Sequence, residues 1–448
     1  MIEVATIETG ELGDRSYITH DGINAIVVDP QRDIDRVQEI LDAKGLKCSL
    51  VLETHIHNDY VSGGLELSRQ TGATYALASD DKIRFDYHAL LDGDELRTGS
   101  MRIQSIATPG HTDGHMSYVV DDIQSPAVVF TGGSLLYGSV GRTDLVGTDK
   151  TDYLTRQQFR SAHRLAEILP DDTFIYPTHG FGSFCSSGSA TGGAVSTVGI
   201  ERMRNDAFII EDEDTFVDHL VSGLTAYPSY YAHMGVLNLN GPGPIDLSLP
   251  TLVDPHQLRE RIQAGHWVID LRDRVAYAKA HLAGTVGIEL GEFFTTYLGW
   301  IVPFGVPLTL IGESPDQISA AQRQMVRIGI DRPDAASIGT PEELTLDDPL
   351  RSYQIATFEH LARNPKAAIL DVRRHDERNL SSIPGSMHIP LHDLTSRIDE
   401  LPDETLWVHC AGAYRASVAA SILDRAQKDV ILINDDYSNA IGTVFRPR

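Results

Sequence analysis

Residues 54–60, THIHNDY, place two histidines one residue apart and an aspartate two residues later, directly after the apolar run SLVLE. Neutral imidazole and carboxylate groups are common ligands of zinc and iron in proteins. His55, His57 and Asp59 are therefore candidate metal ligands. Tyr60 stands where a further nitrogen ligand would continue the pattern, so the stretch leaves open which metal it binds, and whether it binds one.

Three further stretches carry polar side chains directly after strand-like runs. TPGHTDGH carries His111, VGRTD carries Arg142 and Asp144, and IYPTHGFGSFC carries His179 and Cys185. Loops at one edge of a sheet lie close together and often carry the functional residues. We therefore expect these side chains to surround one site together with the first stretch.

The elements that must position these residues alternate along the chain. Strand-like runs such as INAIVVDP, CSLVLET and AVVFTGG are separated by helical stretches up to about residue 235. This alternation is typical of an α/β fold whose site lies on loops at strand ends. The Pro- and Gly-rich segment NGPGPIDLSLP then indicates a linker. We assign residues 1–250 to a first domain.

The rest of the chain contains a repeat. WVIDLR at 267–272 returns as AILDVR at 368–373, and each is followed by a Gly-containing turn and a further strand-like run. Such ordered recurrence indicates two copies of one α/β module, which we expect at residues 252–345 and 350–448. The first copy contains no cysteine, so we expect it to be inactive in any thiol chemistry.

The second copy carries a candidate nucleophile. HCAGAYRAS, residues 409–417, follows the strand LWV and precedes an amphipathic helix, so Cys410 lies on a strand-to-helix turn. A helix N-terminus and inward-pointing loop amides favour a thiolate and a bound anion. We predict that Cys410 and Arg415 are catalytic. The loop predicted to hold the transferred group comprises Ala411, Gly412, Ala413 and Tyr414.

These motifs resemble two known families. The cysteine loop, with ILDVR and IPGSMHIP before it, resembles the rhodanese sulfurtransferases. The order His-x-His-x-Asp, Gly-His, Gly-Arg-Thr-Asp, Thr-His-Gly resembles the metallo-β-lactamase fold, in the branch shared by glyoxalase II and the persulfide dioxygenases. MGVLNLNGPGPID at 234–246 is similar to the C-terminal segment of that branch. The resemblance implies an αββα metallo-β-lactamase domain fused to two rhodanese-like domains.

The resemblance also implies a chemistry. A mononuclear Fe²⁺, held by two histidines that match His55 and His111 and by one carboxylate, would oxidise a low-molecular-weight thiol persulfide to sulfite. Cys410 would carry sulfane sulfur as a persulfide and exchange it with thiosulfate, sulfite or a thiol. Cys185 is similar to a cysteine found at this place in fused members of the family.

One position departs from the family. The expected Phe-Thr-Gly-Asp stretch ends here in Gly133, which has no side chain to bind a metal. His57 could replace the missing carboxylate, and Asp59, Asp113 and Asp144 are alternatives. Fe²⁺ is then the expected metal and Zn²⁺ the alternative, unless the departure abolishes the site. In two-metal hydrolases of this fold the aspartate bridges both metals, so its loss counts against such a hydrolase.

The predicted site therefore has two groups of residues. The predicted metal ligands are His55, His57 and His111. The residues predicted to support them or to contact substrate are Asp59, Tyr60, Arg142, Asp144, His179 and Cys185.

Composition limits the partners. The formal net charge is −26, which argues against binding to nucleic acid or to an anionic membrane, because both require basic surface. The N-terminus lacks the pattern of a signal peptide, so we expect a cytoplasmic protein. The expected partners are a thiol persulfide and thiosulfate or sulfite, and self-association is left open.

Three hypotheses remain. The first is persulfide oxidation coupled to sulfur transfer. The second is a thioester hydrolase like glyoxalase II, in which a metal-bound water attacks the substrate carbonyl. The third is a metal-free N-terminal binding platform that serves an active Cys410.

Overall fold

Two mixed sheets dominate the N-terminal part of the chain. The computed structural model describes residues 2–80, 82–122, 125–188 and 195–443. The first sheet contains β1 (Glu3–Thr9), β2 (Asp14–His20), β3 (Asn24–Val28), β4 (Lys47–Leu52), β5 (Thr74–Ala78) and β6 (His88–Leu90), in that spatial order. The second contains β7 (Glu95–Thr98), β8 (Met101–Ala107), β9 (Met116–Asp122), β10 (Ser125–Gly132), β11 (Phe174–Pro177) and β12 (Ser196–Thr197), with β7 at one edge and β12 at the other.

Helices cover both sheets. They are α1 (Asp35–Lys44), α2 (Gly64–Thr71), α3 (Thr151–Ile168), α4 (Val198–Arg204), α5 (Asp206–Ile209), α6 (Glu213–Gly223) and α7 (Tyr231–Asn240). Apolar side chains of the two sheets, such as Tyr17 and Phe130, share one core. Separate cores join the first sheet to α1 and α2 and the second sheet to α3 and α6. The layers therefore follow the order αββα that the sequence predicts.

The first module of the repeat is a parallel four-stranded sheet with helices. Its elements are α8 (Pro255–Gln263), β13 (Trp267–Asp270), α9 (Arg274–Lys279), β14 (Val286–Gly287), α10 (Phe294–Ile301), β15 (Leu308–Gly312), α11 (Pro315–Arg327), β16 (Ala335–Ile338) and α12 (Pro341–Leu344). The described strands lie in the order β14-β13-β15-β16.

The second module has a parallel sheet in the order β17-β21-β20-β18-β19. Its elements are β17 (Gln354–Ala356), α13 (Phe358–Ala362), β18 (Ala368–Asp371), α14 (His375–Leu380), β19 (Met387–His388), α15 (Leu394–Arg397), β20 (Leu406–His409), α16 (Tyr414–Arg425), β21 (Val430–Ile433) and α17 (Ser438–Thr443). Two 3-10 turns, Leu391–Asp393 and Ile398–Glu400, flank α15.

Each of the two modules contains its own buried ion pair, at the end of β13 in the first module and of β18 in the second. Nη2 of Arg272 donates to Oδ2 of Asp270 at 2.6 Å, and Nη2 of Arg373 donates to Oδ2 of Asp371 at 2.7 Å. Each guanidinium also donates to a backbone carbonyl eight residues further along the chain. The repeated Asp-x-Arg motif is therefore a structural clamp, because both charged groups are buried and paired.

Internal contacts divide the chain into two units, Met1–Ile245 with Val326–Gly329, and Asp246–Met325 with Ile330–Arg448. Both modules lie in the second unit. The α/β class is confirmed, while the domain boundaries at 250, 345 and 350 stay predictions. Among the described residues, no helix combines the length and the apolar composition that a membrane crossing requires.

Candidate functional sites

The carboxylate of Asp29 ties together the strand ends that carry the histidines. It is buried and follows β3 with φ 50°, a conformation that is costly for a residue other than glycine and that surrounding contacts must enforce. Asp29 accepts from the N–H and from the hydroxyl of Thr54, each at 2.7 Å, and from the hydroxyl of Thr178. These contacts fix the two threonines that directly precede His55 and His179.

Two imidazoles have Nδ1 held as a hydrogen-bond donor. Nδ1 of His55 lies 2.9 Å from Oγ1 of Thr54, whose own hydrogen goes to Asp29, so the histidine donates. Nδ1 of His111 lies 2.7 Å from the backbone carbonyl oxygen of Arg142, which can only accept. Each neutral ring therefore presents an unprotonated Nε2, the arrangement that outer hydrogen bonds give to metal-binding histidines.

His179 points its Nε2 at the same place. Its Nδ1 lies 2.8 Å from Oδ1 of Asp14 and 3.2 Å from Oδ2 of Asp59, and its Nε2 lies 3.2 Å from Nε2 of His55. Burial by itself would lower the pKa of His179, but the charges of Asp59 and Asp14 outweigh it and raise the pKa to about 10. The 3.2 Å between the two Nε2 atoms leaves a position that a proton or a metal cation could take.

The three histidines fit a metal ion. One ring nitrogen each of His55, His111 and His179 lies within 4.8 Å of the others. An ion bound at about 2.1 Å from each nitrogen needs nitrogens roughly 3–3.5 Å apart, close to the 3.2 Å found between His55 and His179. Nε2 of His111 is buried without a hydrogen-bond partner among the described residues, which is costly unless a ligand satisfies it.

The protonation states agree with this fit. Burial lowers the pKa of His111 to about 3 and that of His55 well below its ordinary range, and neighbouring histidines add to the second shift. Both rings are therefore neutral near pH 7, as a metal-binding imidazole must be. Zinc and iron both accept such nitrogen ligands.

His57 is held away from this set by carboxylates. Its Nε2 lies 3.2 Å from Oε2 of Glu53, 3.3 Å from Oδ1 of Asp29 and 3.0 Å from the hydroxyl of Tyr60. Burial would lower the pKa of His57, but Asp29 and then Glu53 raise it to about 9. Burial raises the pKa of Glu53 itself to about 7, so the main countercharge of His57 is the carboxylate of Asp29. The ring of Tyr60 stacks on His57 at 4.2 Å.

A fifth buried histidine, His115, supports the site without offering a ligand atom. Its ring stacks on His55 at a centroid distance of 4.9 Å. Its Nε2 accepts from the N–H of Gly133 at 3.0 Å, so Nδ1 must carry the hydrogen and donate to Oγ1 of Thr108 at 2.9 Å. Both nitrogens are thus satisfied within the protein.

Gly133 lies against the imidazole of His111. A Cβ atom at position 133 would come within 2.3 Å of Cδ2 of His111, and a Cβ atom at Gly141 within 2.7 Å of Nδ1 of the same ring. Both distances are too short for real atoms. The ring of His111 therefore occupies the space that a side chain at position 133 would need.

A cavity of about 240 Å³ opens beside His55. Its walls are mostly apolar and include Ile56, Leu77, Leu145 and Val236. Lys82 is the one basic residue among the described residues that line it. The cavity can hold a ligand with an arm of several atoms next to the histidines.

The candidate thiol lies in the second unit. Cys410 is buried after β20, and the N–H of Ala416 in the first turn of α16 donates to its Sγ at 3.4 Å. Ala413 has φ 70°, a left-handed conformation that turns the chain from the loop into the helix. Among the described residues, none accepts from the N–H groups of Ala411 or Gly412. The sulfur therefore lies at a helix N-terminus with free loop amides, which favours negative charge.

Comparison with known proteins identifies the family. The sequence matches the profile of the metallo-beta-lactamase superfamily over residues 16–179 and that of the rhodanese-like domain over residues 355–440. It is 31% identical to the persulfide dioxygenase ETHE1 of Homo sapiens over 246 residues, which cover 53% of this chain and 80% of that protein.

The chain belongs to the persulfide dioxygenase family.

Other similar proteins include a hydrolase and a metallo-beta-lactamase. A hydroxyacylglutathione hydrolase of Methylococcus capsulatus is 34% identical over 182 residues, which cover 40% of this chain and 66% of the hydrolase. The crystal structure of a metallo-beta-lactamase from Staphylococcus aureus has a TM-score of 0.66 and 26% identity, covering 75% of this chain and 99% of that one. The predicted combination of a metallo-β-lactamase fold with a rhodanese-like domain is thus confirmed.

The family resemblance suggested a carboxylate ligand, and the structure separates its three candidates. Asp113 is exposed and pairs with Lys150 at 2.6 Å. Asp144 accepts two hydrogen bonds from Arg142, at 2.7 and 2.8 Å. Asp59 alone of the three lies beside the histidine set, 3.2 Å from Nδ1 of His179.

The remaining predicted residues of this persulfide dioxygenase-like domain have definite places. Arg142 holds His111 through its carbonyl oxygen. Cys185 is buried, and its pKa is raised well above the ordinary range by burial and then by the charge of Asp59. The predicted ligand set of His55, His57 and His111 stays a prediction. The geometry groups the first and third with His179, and it also groups His57 with Asp59 and His179 and with Asp29 and Glu53.

In the rhodanese-like module, Arg415 and Tyr414 each have a partner outside the cysteine loop. Nη2 of Arg415 donates to Oε1 of Glu377 at 2.7 Å, and burial notwithstanding, this pairing lowers the pKa of Glu377. Tyr414, predicted as part of the anion loop, directs its hydroxyl to the backbone carbonyl of Glu289 at 2.6 Å.

Several supporting residues escaped the sequence prediction. They are Asp14, Asp29, Glu53 and His115. One signal was present for His115, which stands four residues after His111 in TPGHTDGH, but the three acids follow or begin strands without any motif.

Proposed function

We propose that this protein oxidises and transfers sulfane sulfur at two separate sites. At the histidine set, a low-molecular-weight thiol persulfide RSSH would react with O₂ and water to give RSH, sulfite and two protons. The outer sulfur atom is oxidised by four electrons and O₂ is reduced by the same four. At Cys410, sulfur would move between thiosulfate and an acceptor such as cyanide or a thiol.

The observation that carries the first half is the convergence of three unprotonated or exchangeable Nε2 atoms in a buried pocket. His55 and His111 have Nδ1 committed to protein acceptors, and His179 has Nδ1 committed to Asp14. Fe²⁺, with Zn²⁺ as the alternative, would be held by these three nitrogens. When bound, iron(II) supplies open positions for O₂ and for a sulfur ligand.

The chain's own residues bind and orient the substrate. The cavity of about 240 Å³ beside His55 would take the organic arm of the persulfide against Ile56 and Leu77. Asn58 and Thr112 place polar groups in the same wall. Burial of the histidines excludes bulk water from the reacting sulfur.

The observation that carries the second half is the position of Cys410. The N–H of Ala416, the N-terminus of α16 and the loop amides stabilise negative charge on the sulfur and on a bound oxyanion. Arg415 adds a positive charge that is already oriented by Glu377. Such a site activates a thiolate for attack on sulfane sulfur.

The test is metal analysis together with oxygen uptake on freshly purified full-length protein. We expect about one equivalent of iron, persulfide-dependent O₂ consumption, and loss of both in His111→Ala. Protein without iron that consumes no O₂ would overturn the dioxygenase half and leave the metal-free platform as the explanation.

The similarity to hydroxyacylglutathione hydrolases favours one alternative, hydrolysis of a thioester by a metal-bound water. It predicts bound zinc and cleavage of an acyl-thiol without O₂. The same metal analysis, with an acyl-glutathione as substrate under nitrogen, distinguishes the two reactions.

A further inference from the structure

The cavity beside His55 is lined by side chains that bear on the organic arm of the substrate. Its volume of about 240 Å³ is room for a chain of several heavy atoms beyond the sulfur. All the residues that line it belong to the first unit of the chain. The cavity is therefore part of the same folded unit as the candidate metal ligands His55, His111 and His179.

Most of the wall is apolar, and part of it is exposed to solvent. Ile56, Leu77 and Leu145 line the cavity together with Val146 and Val236, whose side chains are 39% and 58% exposed. Apolar side chains that are exposed in a concave site lose contact with water when a ligand covers them, which favours binding. These walls therefore favour an arm that consists largely of uncharged atoms.

The charges of the lining do not favour an anionic arm. The described residues of the lining contain two acids, Asp80 and Asp113, and one base, Lys82. Asp113 pairs with Lys150 at 2.6 Å, so Asp80 and Lys82 remain as one charge of each sign. A carboxylate that leaves water for such a site finds too few partners to offset its desolvation. The cavity therefore disfavours an arm with several carboxylates.

Two polar groups of the wall lack partners inside the protein. The side-chain amide of Asn58 lines the cavity and makes no hydrogen bond within the described part of the chain. The hydroxyl of Thr112, which follows His111, is buried and likewise has no partner among the described residues. A side-chain amide offers both a donor and an acceptor, which is the complement of another amide group. An amide in the ligand would satisfy Asn58 in both roles.

Gly235 on α7 leaves the space beside the amide of Asn58. A Cβ atom at position 235 would come within 2.8 Å of Oδ1 of Asn58, so any larger residue would push the amide away. Glycine inside a helix is less favourable than alanine, so the helix itself does not require it. The glycine therefore allows the position of Asn58 in the wall.

We propose that this cavity selects a thiol persulfide whose arm is uncharged and carries an amide group bound by Asn58, and that it disfavours persulfides with several carboxylates. The inference rests on the proposed oxidation at the histidine set and names the substrate class of that site. Asn58 is then a specificity-determining residue, and Gly235 is a positioning residue that acts through it.

The test compares three persulfides in O₂ uptake by the full-length protein. N-acetylcysteamine persulfide has an uncharged arm with one amide, pentyl persulfide has an arm of the same length without it, and glutathione persulfide carries two carboxylates and an ammonium group. We expect kcat/KM for N-acetylcysteamine persulfide to exceed that for glutathione persulfide at least 10-fold. It should also exceed that for pentyl persulfide, which leaves Asn58 unpaired. An equal or higher value for glutathione persulfide would overturn the proposal.

Two variants test the residues. Asn58→Ala should lower the ratio of kcat/KM for N-acetylcysteamine persulfide to that for pentyl persulfide about 5-fold, the effect of one hydrogen bond. Gly235→Ala should lower the same ratio without lowering the melting temperature, because alanine ordinarily stabilises a helix. Gly223→Ala is the matched control, since Gly223 also lies in a helix and the nearest atom to its Cβ would be 3.9 Å away. An unchanged ratio in both test variants would contradict the role of Asn58.

A binding measurement does not depend on turnover. The S-methyl thioethers of the three arms have no outer sulfur to oxidise, and their Kd values from calorimetry should follow the same order. A wild type that binds S-methylglutathione as tightly as the N-acetylcysteamine thioether would overturn the selection of the arm. A wild type without persulfide-dependent O₂ uptake would overturn the proposed oxidation, while the Kd values would still decide which arm the cavity takes.

Discussion

The histidine set and the Cys410 loop differ in how their reactive atoms are held. His55 and His179 are 124 positions apart. The ring of His179 is oriented by Asp14, and that of His55 by Thr54, which Asp29 in turn holds. Cys410, by contrast, depends on a few consecutive residues, on the N-terminus of α16 and on the turn at Ala413. One site is assembled from distant side chains, and the other is a property of local backbone.

This difference explains why the two sites respond differently to the loss of a residue. The family carboxylate is absent at Gly133, yet three nitrogens still converge, because a neighbouring strand end supplies His179. In the first module, two residues, Glu313 and Ser314, join β15 to α11, whereas four join β20 to α16. The first module therefore keeps its Asp-Arg ion pair without a cysteine loop, and its inactivity in thiol chemistry stays a prediction.

The largest expected effect abolishes the activity of one site and leaves that of the other unchanged. Cys410→Ser should lower thiosulfate:cyanide transfer by about 1000-fold or more, since a hydroxyl at neutral pH is a far weaker nucleophile than a thiolate. Iron content and persulfide-dependent O₂ uptake should stay unchanged. Cys48→Ser, another buried cysteine to serine change, is the control. Loss of O₂ uptake in Cys410→Ser would show that the two sites are not independent.

The next prediction concerns the buried Asp-Arg ion pair that each module contains. Asp371→Asn removes the carboxylate that pairs with the buried guanidinium of Arg373 and with Arg378, which should cost about 3–5 kcal/mol in the free energy of unfolding at pH 7. Asp270→Asn is the matched change in the first module. Urea unfolding followed by tryptophan fluorescence measures it, because Trp267, Trp300 and Trp407 all lie in the second unit.

The clamp should also respond to pH. Burial would raise the pKa of Asp371, but hydrogen bonds from Arg373 outweigh it and lower the pKa below 3.8. A carboxylate with a lowered pKa stabilises the folded state above its unfolded pKa and loses that contribution as the pH falls through the folded value. The stability difference between wild type and Asp371→Asn should therefore shrink below about pH 4. A constant difference from pH 7 to 3 would contradict the ion-pair explanation.

These two regions also show what a sequence can reveal. The cysteine loop and the repeated strand motif that contains the Asp-Arg pair could be found in the sequence, since their residues lie close together along the chain. The α/β class followed from alternating strands and helices in the same way. The ligand set stays a prediction, because whether His57 or His179 faces His55 depends on hydrogen bonds to Asp14, Asp29 and Glu53 that no motif contains.

A smaller effect decides whether His57 or His179 completes the ligand set with His55 and His111. His179→Ala should weaken iron binding by at least about 100-fold, more than the 10–100-fold typical for loss of an outer hydrogen bond. His57→Gln should keep about one equivalent of iron but cost roughly 3 kcal/mol in stability, because the buried carboxylate of Asp29 loses its cation. Elemental analysis and thermal unfolding measure both. Retained iron in His179→Ala together with lost iron in His57→Gln would favour the set predicted from the sequence.

The smallest expected effect tests whether Gly133 is a defect or part of the site. Restoring the family's aspartate, Gly133→Asp, would bring a Cβ atom within 2.3 Å of the His111 ring, so we expect a loss of about 1–3 kcal/mol in stability and a lower iron content. Gly10→Asp adds the same charge where no atom lies within 4 Å of the new Cβ, and it should change neither property. An increase in bound iron and in O₂ uptake would instead mean that His111 moves aside readily and that the carboxylate site of the family can be rebuilt here. The expected loss would mean that the ring of His111 and the glycine beside it belong together, and that this arrangement has no room for the family's carboxylate at position 133.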